Sequence, residues 1–213
     1  MKTTASFLIP LLALCAAGCA NIERSRDLAN PAVPGKVLAE QVCSACHGVD
    51  GNTVSPAFPR LAEQPPQYII KQLTDFRSHD RSDPPGPSYM WGVSRHLSDG
   101  QIAGLAEYFS KQTAKSGATA DATLIAAGKE IYQNGLPKDN VPACSVCHGE
   151  KGQGNAGFPR LAYQHAQYVE KQLDVFQFTH ARPGTPMEAV THPLNASQTK
   201  ALAAYLEAFP GAK

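Results

Sequence analysis

The sequence predicts an all-α protein built as two tandem copies of one unit, and three observations carry that expectation. Phe58-Pro59-Arg60-Leu61-Ala62 recurs as Phe158-Pro159-Arg160-Leu161-Ala162, and Gln67-Tyr68, Lys71-Gln72-Leu73 and Phe76 recur at the same offset as Gln167-Tyr168, Lys171-Gln172-Leu173 and Phe176. Self-similarity at a fixed offset marks a duplicated structural unit. Apolar residues in each copy fall at helical spacing, giving three stripes per unit, and no period-two alternation competes with them. A chain of 213 residues with 43% apolar content has room for two small cores.

The first twenty residues read as an export signal. Lys2 precedes an apolar run from Phe7 to Ala17, and small residues Ala16-Ala17-Gly18 lead to Cys19. The run is too short to span a bilayer. Ala16-Ala17-Gly18-Cys19 is similar to a bacterial lipoprotein processing site, with Ala16 where Leu is usual. Two outcomes stay open: a lipid anchor at Cys19, or ordinary cleavage near Ala20. Either places the mature protein in the periplasm, soluble or anchored by its N-terminus. The expected layout is a signal over 1–20, a tether over 21–32 with its Asn30-Pro31 turn signal, a first domain over 33–112, a small polar linker over 113–120 and a second domain over 121–211.

Each unit offers three helices. The first begins near Gly35 and runs into Cys43. Its counterpart, with Leu124, Ile125, Gly128, Ile131 and Tyr132, precedes an inserted loop from Asn134 to Pro142. The second helix carries Ile69, Leu73 and Phe76, matched by Val169, Leu173 and Phe176. The third has the clearest start. Ser98-Asp99-Gly100-Gln101 sets an N-cap serine three residues before a glutamine, the capping-box pattern, and Asn195-Ala196-Ser197-Gln198 repeats it. Behind the caps, Ile102, Leu105, Ala106 and Phe109 form one apolar face, as Leu202, Ala203 and Leu206 do in the second copy.

Between the first and second helices of each unit lies Cys43-Ser44-Ala45-Cys46-His47, repeated as Cys144-Ser145-Val146-Cys147-His148. A structural disulfide, a zinc site and a thioredoxin-like redox pair all use Cys-x-x-Cys, but none requires a histidine at the next residue. Attachment of a c-type haem does: the thiols become thioethers to the porphyrin vinyl groups and the imidazole reaches one face of the iron. The duplicated motif therefore predicts two covalently bound haem c groups, with His47 and His148 as iron ligands. Of six cysteines, Cys15 and Cys19 lie in the signal region and four in the motifs, leaving no spare thiol. The second-helix stripes then serve as both core and cofactor wall.

Function turns on the opposite iron face, which is open to small molecules unless a second protein ligand closes it. The sequence has three methionines, the initiator included. The other two, Met90 and Met187, stand at matching positions, each seven residues before the leucine, Leu97 or Leu194, that precedes the capped third helix. Each ends a proline-rich stretch, from Asp83 to Met90 and from Arg182 to Met187, which reads as a stiff non-helical strap holding a thioether against iron. The expected metal ligands are thus His47, Met90, His148 and Met187. Of the competing histidines, His96 and His192 are out of register, His165 lacks a counterpart, and His79 and His180 come closer to a repeat, each two residues before Arg81 or Arg182; all five read as surface or loop residues, with bis-histidine ligation the alternative. Nineteen basic against eighteen acidic residues give no reason to expect a nucleic-acid partner.

With both haem motifs, both methionines and the repeated Phe-Pro-x-Leu-Ala…Gln-Tyr…Gln-Leu stretch, the chain resembles the cytochrome c4 family of di-haem class I cytochromes c. The resemblance covers nearly everything after the signal. It implies two cytochrome c domains facing each other about a pseudo-twofold axis, and passage of electrons between quinol-oxidising complexes and terminal oxidases by transient docking. It also implies that Pro59 and Pro159 supply the carbonyls that accept the proton of each axial histidine. The family usually reads Pro-Asn-Leu-Ala-Gly-Gln. Here Arg60 and Arg160 replace Asn, to pair with a haem propionate or lie in solvent, and Glu63 and Tyr163 replace Gly. A two-haem electron carrier, not an enzyme, is the expected function. The cytochrome subunit of a dehydrogenase, such as a sulfide-oxidising flavoprotein complex, is the alternative. A peroxidase or thiosulfate oxidoreductase would need a displaceable iron ligand, which methionine in both repeats argues against.

Overall fold

The computed structural model describes residues 25–118 and 120–210; the candidate signal and Cys19 lie outside them. Every regular element among the described residues is helical, as the sequence predicts. In the first unit α1 (Gly35–Leu38) widens into a π-type turn over Ala39–Cys43 and tightens again as α2 (Ser44–His47). Then come α3 (Pro66–Ser78), a second π-type turn over Pro87–Trp91, α4 (Gly92–Ser94) and α5 (Asp99–Ser110). The second unit has α6 (Ala122–Asn134), a tight turn at Pro137–Asp139, α7 (Ser145–His148), α8 (Ala166–Phe178), α9 (Met187–Thr191) and α10 (Ala196–Ala208).

Both capping boxes form. Gln101 N donates to Ser98 Oγ at 3.2 Å while Ser98 N donates to Gln101 Oε1 at 2.9 Å, and Asn195 and Gln198 repeat the exchange at 3.1 and 2.8 Å. The methionine segments depart from expectation. Met90 sits inside the Pro87–Trp91 turn and Met187 opens α9, so neither is on a non-helical strap. Proline excludes itself from helix interiors but not from the first position, where no internal bond is lost. Pro87 stands at that first position, and Pro186 is the N-cap just ahead of Met187.

Most buried apolar residues fall into two clusters, one per repeat, while Phe76 and Phe176 lie instead under Arg81 and Arg182 of the seam. Leu38, Ala39, Ile69, Leu97, Ile102, Leu105, Ala106 and Phe109 form the first. Ile131, Tyr132, Val169, Leu173, Leu194, Leu202, Tyr205, Leu206 and Phe209 are the larger members of the second. The faces read from the sequence are the faces that pack. In both units the first and third helices cross in backbone contact, which a glycine permits: a Cβ on Gly35 would strike the backbone of Leu105, and one on Gly128 the Ala201 carbonyl.

A reciprocal polar seam joins the units. Arg81 donates to Gln72 of its own unit at 2.7 Å and to Tyr168 and Gln172 of the other at 3.2 and 3.3 Å. Arg182 mirrors it, reaching Gln172 of its own unit and Tyr68 and Gln72 of the other at 3.3 and 2.7 Å. This exchange is the pseudo-twofold relation that the resemblance implies. Asp83 has no mirror image: 1% exposed, it accepts from Arg81 Nε at 2.6 Å and from Gln172 at 3.0 Å, where the second unit has Gly184.

Two expectations are corrected here. Arg60 and Arg160 do not lie in solvent; they belong to the seam. Arg60 Nη1 donates to the Tyr163 carbonyl at 2.9 Å, and Arg160 pairs with Glu63 of the first unit at 3.2 Å and lies over the Tyr163 ring. Glu63 and Tyr163, the residues standing where the family has glycine, hold φ of 56° and 68°. That left-handed backbone costs a side chain about 1–2 kcal/mol, and both residues contact the seam arginines. His165 is no surface residue either. It is 5% exposed, with Nε2 at 2.8 Å from the Thr53 carbonyl across the seam and Nδ1 at 3.1 Å from Glu207. A ring N–H donated to either of these acceptors ties the buried imidazole into the seam.

Candidate functional site

On a helical turn, positions i, i+3 and i+4 share one face. The helical turns ending in α2 and α7 thereby bring Cys43, Cys46 and His47, and Cys144, Cys147 and His148, to one side of the backbone. Gly48 and Gly149, with φ of 78° and 85°, end those turns at once. The chain then doubles back. Leu61 and Ala62 donate to the Gly51 carbonyl at 2.8 and 3.2 Å, and Leu161 and Ala162 to that of Gly152 at 2.8 and 3.0 Å. This pins the Phe-Pro-Arg-Leu-Ala segment beside the histidine in each unit.

His47 Nδ1 lies 2.9 Å from the Pro59 carbonyl, and His148 Nδ1 2.9 Å from that of Pro159. A carbonyl only accepts, so Nδ1 carries the proton and Nε2 is the free donor pair for a metal. Both rings are buried, 7% and 5% exposed. Burial pushes their pKa below the usual imidazole value, with the proline carbonyl opposing, so the neutral ligand form prevails. Phe58 and Phe158 set their ring edges against His47 and His148 at the same 6.1 Å centroid distance. Burial also pushes the Cys43 and Cys144 thiols up to about 11, while Cys46 and Cys147 are exposed.

These donors suit haem attachment and not the alternatives. All four cysteines are free thiols, which excludes a disulfide within either motif. Among the described residues no three His, Cys, Asp or Glu side chains gather into a cluster of the kind that zinc uses. Two thiols beside a buried neutral imidazole with one nitrogen committed are the groups that a covalently held haem uses.

Met90 and Met187 are both half-buried and occupy equivalent turns. Ser94 Oγ donates to the Met90 carbonyl at 2.6 Å, and Thr191 Oγ1 to the Met187 carbonyl at 2.7 Å. Beneath these turns Arg77 holds the Leu97 carbonyl at 2.8 Å, and Gln177 holds the Thr191 and Leu194 carbonyls at 2.7 and 2.9 Å. Met187 and Cys144 pack against the same apolar core. The other candidate histidines, His79, His96, His180 and His192, are exposed, His79 stacked on Trp91 at 4.8 Å.

Gln64 and Gln164 are residues that the sequence reading passed over. Each is buried and pairs with the backbone of the opposite unit. Arg60 N donates to Gln164 Oε1 at 2.8 Å and Gln164 Nε2 to the Arg60 carbonyl at 3.0 Å. Arg160 N donates to Gln64 Oε1 at 3.0 Å and Gln64 Nε2 to the Arg160 carbonyl at 2.8 Å. Their recurrence at the repeat offset was the available signal.

The geometry agrees with what known proteins offer for comparison. The cytochrome c family pattern matches residues 32–113 and 125–209. Cytochrome c4 of Azotobacter vinelandii is 39% identical over 176 residues, 78% of this chain and 83% of the relative. The crystal structure of reduced recombinant cytochrome c4 from Pseudomonas stutzeri superposes with a TM-score of 0.73 at 36% identity, covering 82% of this chain and 96% of that one. A thiosulfate dehydrogenase electron acceptor of Thiomonas intermedia is 33% identical over 175 residues, 79% of this chain and 78% of the relative. Two attachment motifs in two matched domains, on a fold shared with solved relatives, provide for two covalent haem c groups and make the protein an electron carrier and not an enzyme. The chain belongs to the cytochrome c4 family of di-haem cytochromes c.

Proposed function

We propose that this chain carries single electrons in the periplasm between a quinol-oxidising donor and a terminal oxidase, through two haems each held by a histidine and a methionine. Bound haem supplies a one-electron iron couple at each site. Cys43, Cys46, Cys144 and Cys147 hold the porphyrins. His47 and His148, steered by Pro59 and Pro159, would present Nε2 to the iron, and Met90 and Met187 would supply the second protein ligand at each site. Thioether sulfur is a soft donor that favours Fe(II), which raises both potentials relative to bis-histidine ligation. The units doing this span 33–112 and 121–211, joined by 113–120. The described part of that linker is tied to the first unit, Lys115 N donating to Asn52 Oδ1 at 2.9 Å and Arg60 to the Lys115 carbonyl at 3.1 Å.

The observation that carries this reading is the equivalence of the two methionine turns, each fixed by a buried hydroxyl four residues on. The test is the absorption of the oxidised protein in the region of Met-to-iron charge transfer. Met90→Ala and Met187→Ala should each remove about half of the band. A band untouched by both substitutions overturns the ligand assignment.

The likeness to a thiosulfate dehydrogenase electron acceptor supports a second reading, in which the donor is a sulfur-oxidising dehydrogenase and the chain is its cytochrome partner. Redox docking of this kind uses small interfaces. Rapid reduction by such an enzyme, and none by a quinol-oxidising complex, would favour it over the first. Cys19 lies outside the described residues, and the relatives do not support a lipid anchor there. Among the described residues no helix is long and apolar enough to cross a membrane.

A further inference from the structure

The proline carbonyl that holds each axial histidine is one half of a peptide group whose other half is claimed by the opposite unit. Pro59 O accepts from His47 Nδ1 at 2.9 Å, and the N–H of the same amide, that of Arg60, donates to Gln164 Oε1 at 2.8 Å. In the second unit Pro159 O accepts from His148 Nδ1 at 2.9 Å, and Arg160 N–H donates to Gln64 Oε1 at 3.0 Å. Two hydrogen bonds through one amide are not independent. When its N–H is drawn towards an acceptor, the amide shifts electron density onto its carbonyl oxygen, which then accepts more strongly. A stronger acceptor at Nδ1–H makes the imidazole a more basic metal ligand.

We propose that Gln164 and Gln64 are positioning residues that act in trans: each lowers the reduction potential of the haem carried by the other unit, through the Pro–Arg amide and the histidine behind it. The seam then does more than join the units, because docking one against the other sets the electron donation of both histidines. Gln64 and Gln164 are 5% and 6% exposed, so water does not compete for either amide. This inference rests on His47 and His148 being the iron ligands.

The test is a redox titration of the intact di-haem protein in which each haem is followed through its own paramagnetically shifted NMR signals. Gln164→Leu should raise the potential of the haem bound at His47, and Gln64→Leu that of the haem bound at His148. Each should change the oxidised-to-reduced ratio at fixed potential by about two- to fourfold, or ~20–35 mV at 59 mV per tenfold for one electron. Gln164→Glu keeps the acceptor for Arg60 N–H but loses the donor to the Arg60 carbonyl, so it loosens the seam as Leu does while holding the potential at or below that of the parent. A structural role alone would move Leu and Glu variants together. Equal shifts of both haems in Gln164→Leu, a shift of the haem on the variant's own unit only, or no shift overturns the proposal. In each of those cases an intact Met-to-iron band shows that the ligand assignment stands independently.

Discussion

At the scale of single residues, the two sites are built from short-range chemistry used twice. Ser94 and Thr191 bond back to the carbonyls of Met90 and Met187, four residues earlier. Such a bond exists only if the intervening backbone is helical. The prolines before each methionine predict a non-helical strap, on which these hydroxyls would have no carbonyl to meet. Ser94→Ala and Thr191→Val should each cost about 1 kcal/mol of local stability. The temperature at which the Met-to-iron band disappears should fall before the helical signal does, and an unchanged temperature would mean that these hydroxyls do not hold the turns. The histidines and cysteines were fully legible, because their spacing is itself the chemistry. His165 was not: nothing in its neighbourhood foretells that Thr53, more than a hundred residues earlier, supplies its second acceptor.

At the scale of elements, the amphipathic helices follow their sequence because caps and stripes are local. Ser98→Ala or Asn195→Ala should cost about 1 kcal/mol each, measured by denaturant unfolding. Asp121 caps α6 by accepting from Thr123 N at 2.8 Å, and with Leu124 three residues on it lacks the glutamine that marks the other two caps in the sequence. Helix crossing is a harsher constraint. Gly128→Ala drives a methyl group into the Ala201 backbone, and a backbone cannot step aside as a flexible side chain can. A loss of about 1–3 kcal/mol is expected, at the cost scale of overpacking, while Gly157→Ala, with open space around it, should be nearly neutral. The glycine was visible as a break in an apolar stripe; that a partner helix lies against it was not.

At the scale of the whole molecule, the repeat foretold a symmetric pair but not what holds it, since every contact that crosses from one unit to the other joins residues far apart in sequence. Arg60 and Arg160 do not take the solvent position that the sequence allowed them, but grip the opposite unit. Asp83 breaks the symmetry. Burial would raise its pKa, but the hydrogen bond and charge of Arg81, with Gln172 and Arg182, outweigh burial and hold it below the ordinary carboxylate value. A lowered native pKa stabilises above the unfolded value and is lost as pH falls through the native one. The seam should therefore loosen in acid below about pH 4, seen as faster amide exchange at Ser82, whose N–H crosses to the Ala181 carbonyl at 2.8 Å. Asp83→Asn should reproduce that loosening at neutral pH and destabilise by about 3–5 kcal/mol, because it leaves buried arginine charge without its counterion.

The whole account depends on both iron faces being closed by protein donors, so that electrons pass and substrates do not bind. Exposure of the reduced native protein to carbon monoxide, read as a difference spectrum, tests this most directly. No carbonyl complex at neutral pH is the predicted result; ready formation at either haem would contradict it.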